Sequence, residues 1–362
     1  MYHRIRPFLF HIEPERTHAL TLNLLRLTGK VRPAHWLISQ IYKAPQKPVE
    51  AFGLTFKNPV GLAAGYDKDC IAIRGLDSLG FGHIEIGTIT PMPQPGNAAP
   101  RMFRLLEDQA MINRLGFPSR GSEFVQRQLD PYFRESLLEK YFGFMPPSKR
   151  RGKPALEKGK AILGINLGKN KDTPNEEATL DYLALLQNFA RYADYLTINV
   201  SSPNTAGLRN LQAPDALESL LTNIHQQRLI EQKQLERRVP MLVKLSPDLT
   251  DSELNEAIDV ILSANMDGII VTNTTLSREG LRSNNKSESG GLSGSPLKVK
   301  SEAVLSQTIK RVNEKIPVVS VGGIMTPEDA KRRLDMGARL IQLYTGLIYH
   351  GPSLVRDILR SL

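Results

Sequence analysis

Eight short apolar runs rich in β-branched residues recur along the chain, and each ends in glycine or in hydrogen-bonding side chains. They span Pro59 to Gly65, His83 to Thr88, Ala161 to Gly168, the stretch opening at Leu196, Pro240 to Pro247, Gly268 to Thr274, Pro317 to Gly323 and Leu340 to Gly346. Between them lie segments with helical apolar spacing: Asp181–Ala193 carries Leu183, Leu186 and Ala190, and Asp251–Ala264 carries Leu254, Ile258 and Ile261. Strands separated by helices pair in parallel, and eight such units close into a (β/α)8 TIM barrel of roughly 250 residues. The expected fold class is therefore α/β, with residues 46–362 forming the barrel and residues 1–45 a small helical extension.

In such barrels the chemistry sits at the C-terminal ends of the strands. In strand order those ends carry Ala64, Gly65 and Lys68, then Thr88, Asn166, Asn199 with Ser202, Lys244, Thr272 with Asn273, Gly322 with Gly323, and Tyr344 with Thr345. The fourth end is the richest, reading L-T-I-N-V-S-S-P-N-T-A-G-L-R from Leu196 to Arg209. Alternation there points Thr197, Asn199 and Ser201 to one face and Leu196, Ile198 and Val200 to the other, and Pro203 ends the strand. Alone this is a polar turn. Eight such ends converging on one face predict a polar pocket containing two lysines.

The loops after strands seven and eight, V-G-G-I-M-T-P-E and Q-L-Y-T-G, have the composition of a phosphate site. Gly322 and Gly323 permit close backbone approach, a helix starting near Thr326 is expected to offer free amides, and Thr345 adds a hydroxyl. Gly290–Gly294 is read as a flexible wall. Lys244 either places positive charge against a cofactor ring that becomes negative on reduction, or pairs with a barrel acid.

The 362-residue chain has 41% hydrophobic content, one cysteine (Cys70) and a net charge of +10. The lone cysteine excludes an internal disulfide and a cysteine-rich zinc site, no metal is expected, and a reducing compartment follows. No H-E-x-x-H, G-x-S-x-G, Walker loop or strand-linked G-x-G-x-x-G occurs. The charge is concentrated: residues 1–50 hold eight basic and three acidic residues (+5), and residues 134–160 again hold eight and three (+5). Neither patch carries an aromatic stacking platform, so no nucleic acid is expected. The N-terminal patch is interleaved with apolar residues, and two helices are predicted, about Pro14 to Thr28 and about Pro33 to Tyr42, separated by Gly29. A basic, apolar hairpin suits a membrane interface with Trp36 and Tyr42 at headgroup depth, or else caps the barrel. His3, His11, His18 and His35 fit no metal-binding spacing and are expected mostly at the surface.

The motifs L-A-A-G-Y-D-K-D, E-I-G-T-I-T-P, P-R-M-F-R-L, I-N-R-L-G-F, G-I-N-L-G-K-N-K-D-T, I-N-V-S-S-P-N-T-A-G-L-R, V-K-L-S-P-D-L, V-T-N-T-T-L, G-G-L-S-G, V-G-G-I and Q-L-Y-T-G follow one another as in dihydroorotate dehydrogenases. The chain resembles the membrane-associated, quinone-dependent class of that family over nearly its whole length. The resemblance implies FMN as cofactor and oxidation of dihydroorotate to orotate in pyrimidine synthesis. It assigns FMN contacts to Ala64, Gly65, Tyr66, Asp67, Lys68, Thr88, Asn166, Asn199, Lys244, Thr272, Gly294, Gly323, Tyr344 and Thr345. Substrate contacts fall to Lys68, Asn113, Arg114, Leu115, Gly116, Phe117, Asn199, Asn204, Asn273 and Thr274. Paired amides suit the substrate's imide ring, and Lys68 suits its carboxylate.

Ser202 matches the family's base, which takes a proton from substrate carbon. A hydroxyl is a weak base near neutrality, so Thr205 and an enclosed water path past Phe117 are expected to assist. The soluble class uses cysteine at this position, so serine supports the quinone class. That class places its N-terminal helices on the membrane around a quinone tunnel, and His18, Arg104 and Tyr344 match residues near the quinone head; a polar contact between cap and barrel is the other reading of His18 and Arg104. A monomer at the cytoplasmic face of the inner membrane is the resulting expectation. Two departures stand out: Pro118 replaces the family's usual asparagine, and residues 134–160 lengthen a link, as a solvated insertion, a membrane contact or a partner site. The competing readings are a soluble dihydroorotate dehydrogenase using fumarate or a nicotinamide partner, which Ser202 opposes, and an RNA-modifying flavin barrel, which would bring a catalytic cysteine.

Overall fold

A computed structural model describes residues 2–131 and 161–362. The segment 134–160, singled out for its charge, lies outside the described residues.

Eight parallel strands close into a barrel: β1 (Val60–Leu62), β2 (His83–Ile89), β3 (Ile162–Leu167), β4 (Tyr195–Asn199), β5 (Met241–Leu245), β6 (Gly268–Val271), β7 (Val318–Val321) and β8 (Leu340–Leu343). Each strand pairs with its sequence neighbours, and β8 returns to β1 with Ile341 opposite Val60. All eight expected strands are present, most of them shorter at the C-terminal end than their apolar run. The cause is local: residues such as Ser201 turn their amides to side chains, here Asn199 Oδ1 at 3.3 Å, and leave the ladder.

Alternation along β4 sorts the side chains as expected. Leu196, Ile198 and Val200 pack outward in the main core against the helices, while Thr197 and Asn199 point into the barrel, where they bond Glu85, Thr88 and Asn166. The barrel interior changes character along its axis. At the bottom an antiparallel hairpin, Val49–Ala51 with Leu54–Phe56, closes it, and Phe52, Phe56, Tyr195, Leu242, Ile270, Val319 and Leu340 form an apolar plug. Toward the C-terminal ends the interior becomes polar. The helices Asp251–Ser263 and Pro327–Asp335 begin at reciprocal capping boxes, at Thr250 and Thr326.

Two additions were not foreseen. Met102–Leu105, Ala110–Asn113 and Gly291–Gly294 make a three-stranded antiparallel sheet, so the segment expected as a flexible wall is an ordered strand paired to Ala110–Asn113. The extension also has three helices: α1 (Tyr2–His11), α2 (Pro14–Lys30) and α3 (Arg32–Ile41). Pro7 disguises α1, because proline within ten residues lowers helical preference. Gly29 does not separate the helices; α2 runs through it and turns into α3 at Val31. Its role is contact. A Cβ at Gly29 would sit 2.9 Å from Arg74 Cβ, and one at Gly75 would sit 2.0 Å from the Leu25 carbonyl oxygen, so both glycines let α2 touch the helix Ile73–Asp77.

Candidate active site at the barrel mouth

A single cavity opens at the C-terminal ends of the strands, as the strand-end reading predicts. Its wall includes Ala64, Gly65, Lys68, Thr88, Asn199, Lys244, Thr272, Gly294, Gly323, Tyr344 and Thr345, together with Asn113, Leu115, Gly116, Phe117, Ser202, Asn204, Asn273 and Thr274. Four expected residues stand elsewhere. Tyr66 packs edge-on between His18 and Tyr344; Asp67 is buried and accepts from the Ile71 and Ala72 amides; Arg114 forms a 2.6 Å ion pair with Glu288. Asn166 lies behind the wall and braces it.

That bracing is part of a directional network. Asn166 Oδ1 accepts from Thr88 Oγ1 at 2.6 Å and from Asn199 Nδ2 at 3.0 Å. Asn199 Oδ1 accepts from Ser201 Oγ at 3.0 Å, and Ser201 Oγ accepts from Asn273 Nδ2 at 3.0 Å. Asn273 Oδ1 in turn accepts from the Thr274 amide at 2.8 Å. Asparagines from β3, from β4 and from the end of β6 are thus locked in one sense.

Ser202 is buried on the cavity wall, and its Oγ accepts from the Asn204 amide at 3.2 Å. No histidine or carboxylate contacts it among the described residues. Among the described residues, the buried hydroxyl of Thr205, three residues on, and Asn204 Oδ1 have no partner, although Asn204 Nδ2 donates to Asn113 Oδ1 at 3.2 Å. Unsatisfied buried polar atoms cost about 1–3 kcal/mol each, so this wall is built to receive polar groups. Arg209 clips the loop in place, reaching the carbonyls of Ser201 and Thr274 and pairing with Asp248 at 3.0 Å.

Both lysines are present. Lys68 Nζ donates to the Gly65 carbonyl at 2.7 Å, and burial pushes it down to about 8 against the pull of Asp69 and Glu15. Lys244 has no hydrogen bond or salt bridge among the described residues. Burial lowers it too, and Glu85 is the acid that opposes the shift, so the two are electrostatic partners without direct contact.

The phosphate expectation needs one correction. The helix Pro327–Asp335 does not offer its first amides, because Met325 and Thr326 donate to Asp329 Oδ2 and Asp329 donates to Thr326 Oγ1. The free donors are its neighbours: the amides of Gly323, Ile324, Thr345 and Gly346 bond no acceptor among the described residues. Gly346 lets these loops meet, since a Cβ there would fall 2.4 Å from the Ile324 carbonyl oxygen. The result is a cluster of free backbone amides, an arrangement that suits an anion.

Comparison with known proteins decides the family. The model of the family described as dihydroorotate dehydrogenase matches residues 48–362. The chain belongs to the dihydroorotate dehydrogenases. It is 45% identical to a protein of Idiomarina loihiensis named dihydroorotate dehydrogenase (quinone), over the full length of both, and 44% identical to one of that name from Christiangramia forsetii, covering 98% of this chain and 96% of the relative. Among solved structures, DHODH from Eimeria tenella in complex with ferulenol superposes with a TM-score of 0.80 at 38% identity, covering 96% of this chain and 90% of that one. The ligand-free form of the Eimeria protein gives 0.78, at 39% identity and 93% of each chain.

Within this dihydroorotate dehydrogenase, two of the three residues expected near a quinone, His18 and Tyr344, are linked through Tyr66. His18, Tyr66 and Tyr344 form an edge-to-face aromatic succession, with ring centroids 5.0 and 5.9 Å apart, from α2 to the cavity wall. Burial and the charge of Lys68 hold His18 down to about 3, so its imidazole is neutral. His18 is half-buried, as is His35, whereas His3 and His11 are exposed. Arg104 makes a cap-to-barrel contact, donating to the carbonyls of Phe10 and Ile12 and to Thr17 Oγ1, and its Nε has no partner among the described residues. The sequence reading missed Glu85 and Gln342, both buried inside the barrel, and Leu297 and Met325 on the wall. A signal existed for the first two: each is a polar residue alternating with apolar ones inside a strand run.

Proposed function

We propose that this chain oxidises dihydroorotate to orotate in pyrimidine biosynthesis and delivers the electrons to a membrane quinone. The observation that carries the reading is one cavity that unites Lys68, Ser202 and the asparagine set with Lys244 and a group of free amides, and whose wall residue Tyr344 packs on Tyr66, itself packed on His18 of the N-terminal helices.

The residues suit FMN as the cofactor. Four unpartnered amides fit a phosphate, while the unpartnered Gln342 Oε1 and the ammonium of Lys244 fit the donor and acceptor atoms of a flavin edge. Ala64, Gly65, Thr88, Asn199, Lys244, Thr272, Gly294, Gly323, Tyr344 and Thr345 would hold it, with Tyr66, Asp67, Lys68 and Asn166 supporting the loops around it. When bound, FMN supplies the acceptor for the substrate's hydride and the donor for quinone. Lys68 pairs with the substrate carboxylate, and Asn113, Asn204, Asn273 and Thr274 read its imide, with Arg114 steadying the Asn113 segment from outside. The Ser202 hydroxyl takes the proton from substrate carbon, and the unpartnered Thr205 hydroxyl passes it onward. Phe117, beside Leu115 and Gly116, excludes bulk water, and Pro118 stiffens that wall.

The N-terminal helices serve as the membrane contact. Among the described residues, ten of the seventeen exposed large hydrophobic side chains lie within the first 41 positions, among them Phe8, Leu24, Leu27 and Trp36. Interleaved with lysine and arginine, they suit an anionic bilayer surface. No described helix is long and apolar enough to cross a membrane. On this reading the protein works as a monomer, peripherally at the cytoplasmic face of the inner membrane. Anaerobic addition of dihydroorotate to the purified flavoprotein is expected to bleach the flavin, with colour restored by decylubiquinone. Absence of bleaching would remove the substrate; recovery with fumarate but not quinone would overturn the acceptor.

A further inference from the structure

The carboxylate of Glu85 is fully buried inside the barrel, between the apolar plug and the cavity. The reaction proposed above, on which this inference rests, leaves it without a role. One of its oxygens accepts from Asn166 Nδ2 at 2.8 Å. The other accepts from Gln342 Nε2 at 2.9 Å, Tyr195 Oη at 3.1 Å and Thr197 Oγ1 at 3.2 Å. A carboxylate in this arrangement only accepts, whereas a primary amide can be turned either way. Both amides facing Glu85 are therefore held with nitrogen toward it and oxygen away.

The consequences run in two directions. On one side, Asn166 Oδ1 receives Thr88 and Asn199, which turns Asn199 Oδ1 toward Ser201 and aligns Asn273. On the other, Gln342, which lines the cavity as Lys244 does, presents a buried Oε1 without a partner among the described residues. We infer that Glu85 is a positioning residue that sets the donor–acceptor polarity of the whole cavity. Through it the wall offers an acceptor from Gln342 and a cation from Lys244. The chemistry this selects is an imide edge, with an N–H flanked by carbonyl oxygens.

The E85Q variant keeps the shape but places an NH₂ among donors. The Tyr195 and Thr197 hydroxyls can rotate to accept, but Asn166 or Gln342 must reverse. FMN affinity, read by flavin fluorescence on adding FMN back to the full-length apoprotein, is expected to weaken roughly 10- to 100-fold, the scale of one mispaired buried polar group. The midpoint potential of the bound flavin is expected to rise, because a negative charge near the reducible ring is lost. The E85Q/Q342E exchange returns one carboxylate to the pair with its second oxygen toward the cavity, and should restore most of the affinity. Wild-type affinity and potential in E85Q would overturn the inference, as would an exchange variant no better than E85Q. If E85Q does not fold, the exchange variant alone decides, by the same affinity. A wild-type chain that binds FMN but is not reduced by dihydroorotate would remove the proposed reaction and leave this test intact.

Discussion

At the barrel mouth most polar side chains are committed to a named partner, and Asn204 and Gln342, each with an oxygen unpartnered among the described residues, line the cavity; in α1–α3, by contrast, large apolar side chains lie exposed. The first region is organised by direction: hydrogen bonds from Glu85 to Thr274 fix which way each amide points. The second is organised by area, since apolar burial has no direction and any bilayer or apolar ligand satisfies it. The two meet at His18, Tyr66 and Tyr344. The difference teaches that substrate recognition should be sensitive to single atoms, whereas quinone access should depend on the summed apolar surface.

Substitutions that respect this division sharpen it. The largest effect is expected from Ser202→Ala, which should keep FMN bound and slow flavin reduction by roughly 10² to 10⁴ in stopped flow, the usual contribution of a positioned base. An unchanged rate would remove Ser202 from the chemistry. Next, the triple change Leu24→Ser, Leu27→Ser, Trp36→Ser should weaken co-sedimentation with anionic vesicles by more than about tenfold, given about 25 cal/mol per Å² of apolar surface. Turnover with a soluble dye should not change. A parallel loss with the dye would make the helices a folding element instead.

A smaller effect is expected where the regions join. Gly75→Ala forces a methyl group against the Leu25 backbone, and overpacking of this kind costs about 1–3 kcal/mol, readable as a lowered Tm. A Tm equal to wild type would show that α2 does not press on that helix in solution. The smallest is a pH effect. Burial lowers Lys68 to about 8, so its ammonium is present below that pH and lost above it. The value of kcat/KM for dihydroorotate should therefore fall as pH rises through about 8, and Lys68→Met should lower it and abolish that limb. Persistence of the limb in the variant would assign it to another group.

The same division governs what the sequence discloses. Period-two alternation in the run from Leu196 put Thr197 and Asn199 inside the barrel, and the strand ends located the cavity, because both signals are local. Glu85 and Gln342 were legible by the same alternation, yet their meaning depends on meeting across the barrel, which no single strand contains. The amide cluster was half legible: glycines marked the loops, but the loss of the Met325 and Thr326 amides to Asp329 is a cap formed only in three dimensions. Gly29 reads as a helix break because glycine usually is one, and only the approach of Arg74 and Gly75 shows it to be a contact. The antiparallel sheet over the mouth was missed for a related reason. Its third strand, Gly291–Gly294, comes almost two hundred residues after the first two, and two of its four residues are glycines that carry no strand pattern.

The central claim is that one region reduces the flavin and the other lets quinone reoxidise it. Measuring the two half-reactions separately by anaerobic stopped flow, in wild type and in the Leu24, Leu27, Trp36 serine variant, tests it most directly. The account predicts equal rates of bleaching by dihydroorotate and a selectively slower reoxidation by quinone in vesicles for the variant. Bleaching that slows in step with reoxidation, or a quinone rate that does not change, would contradict it.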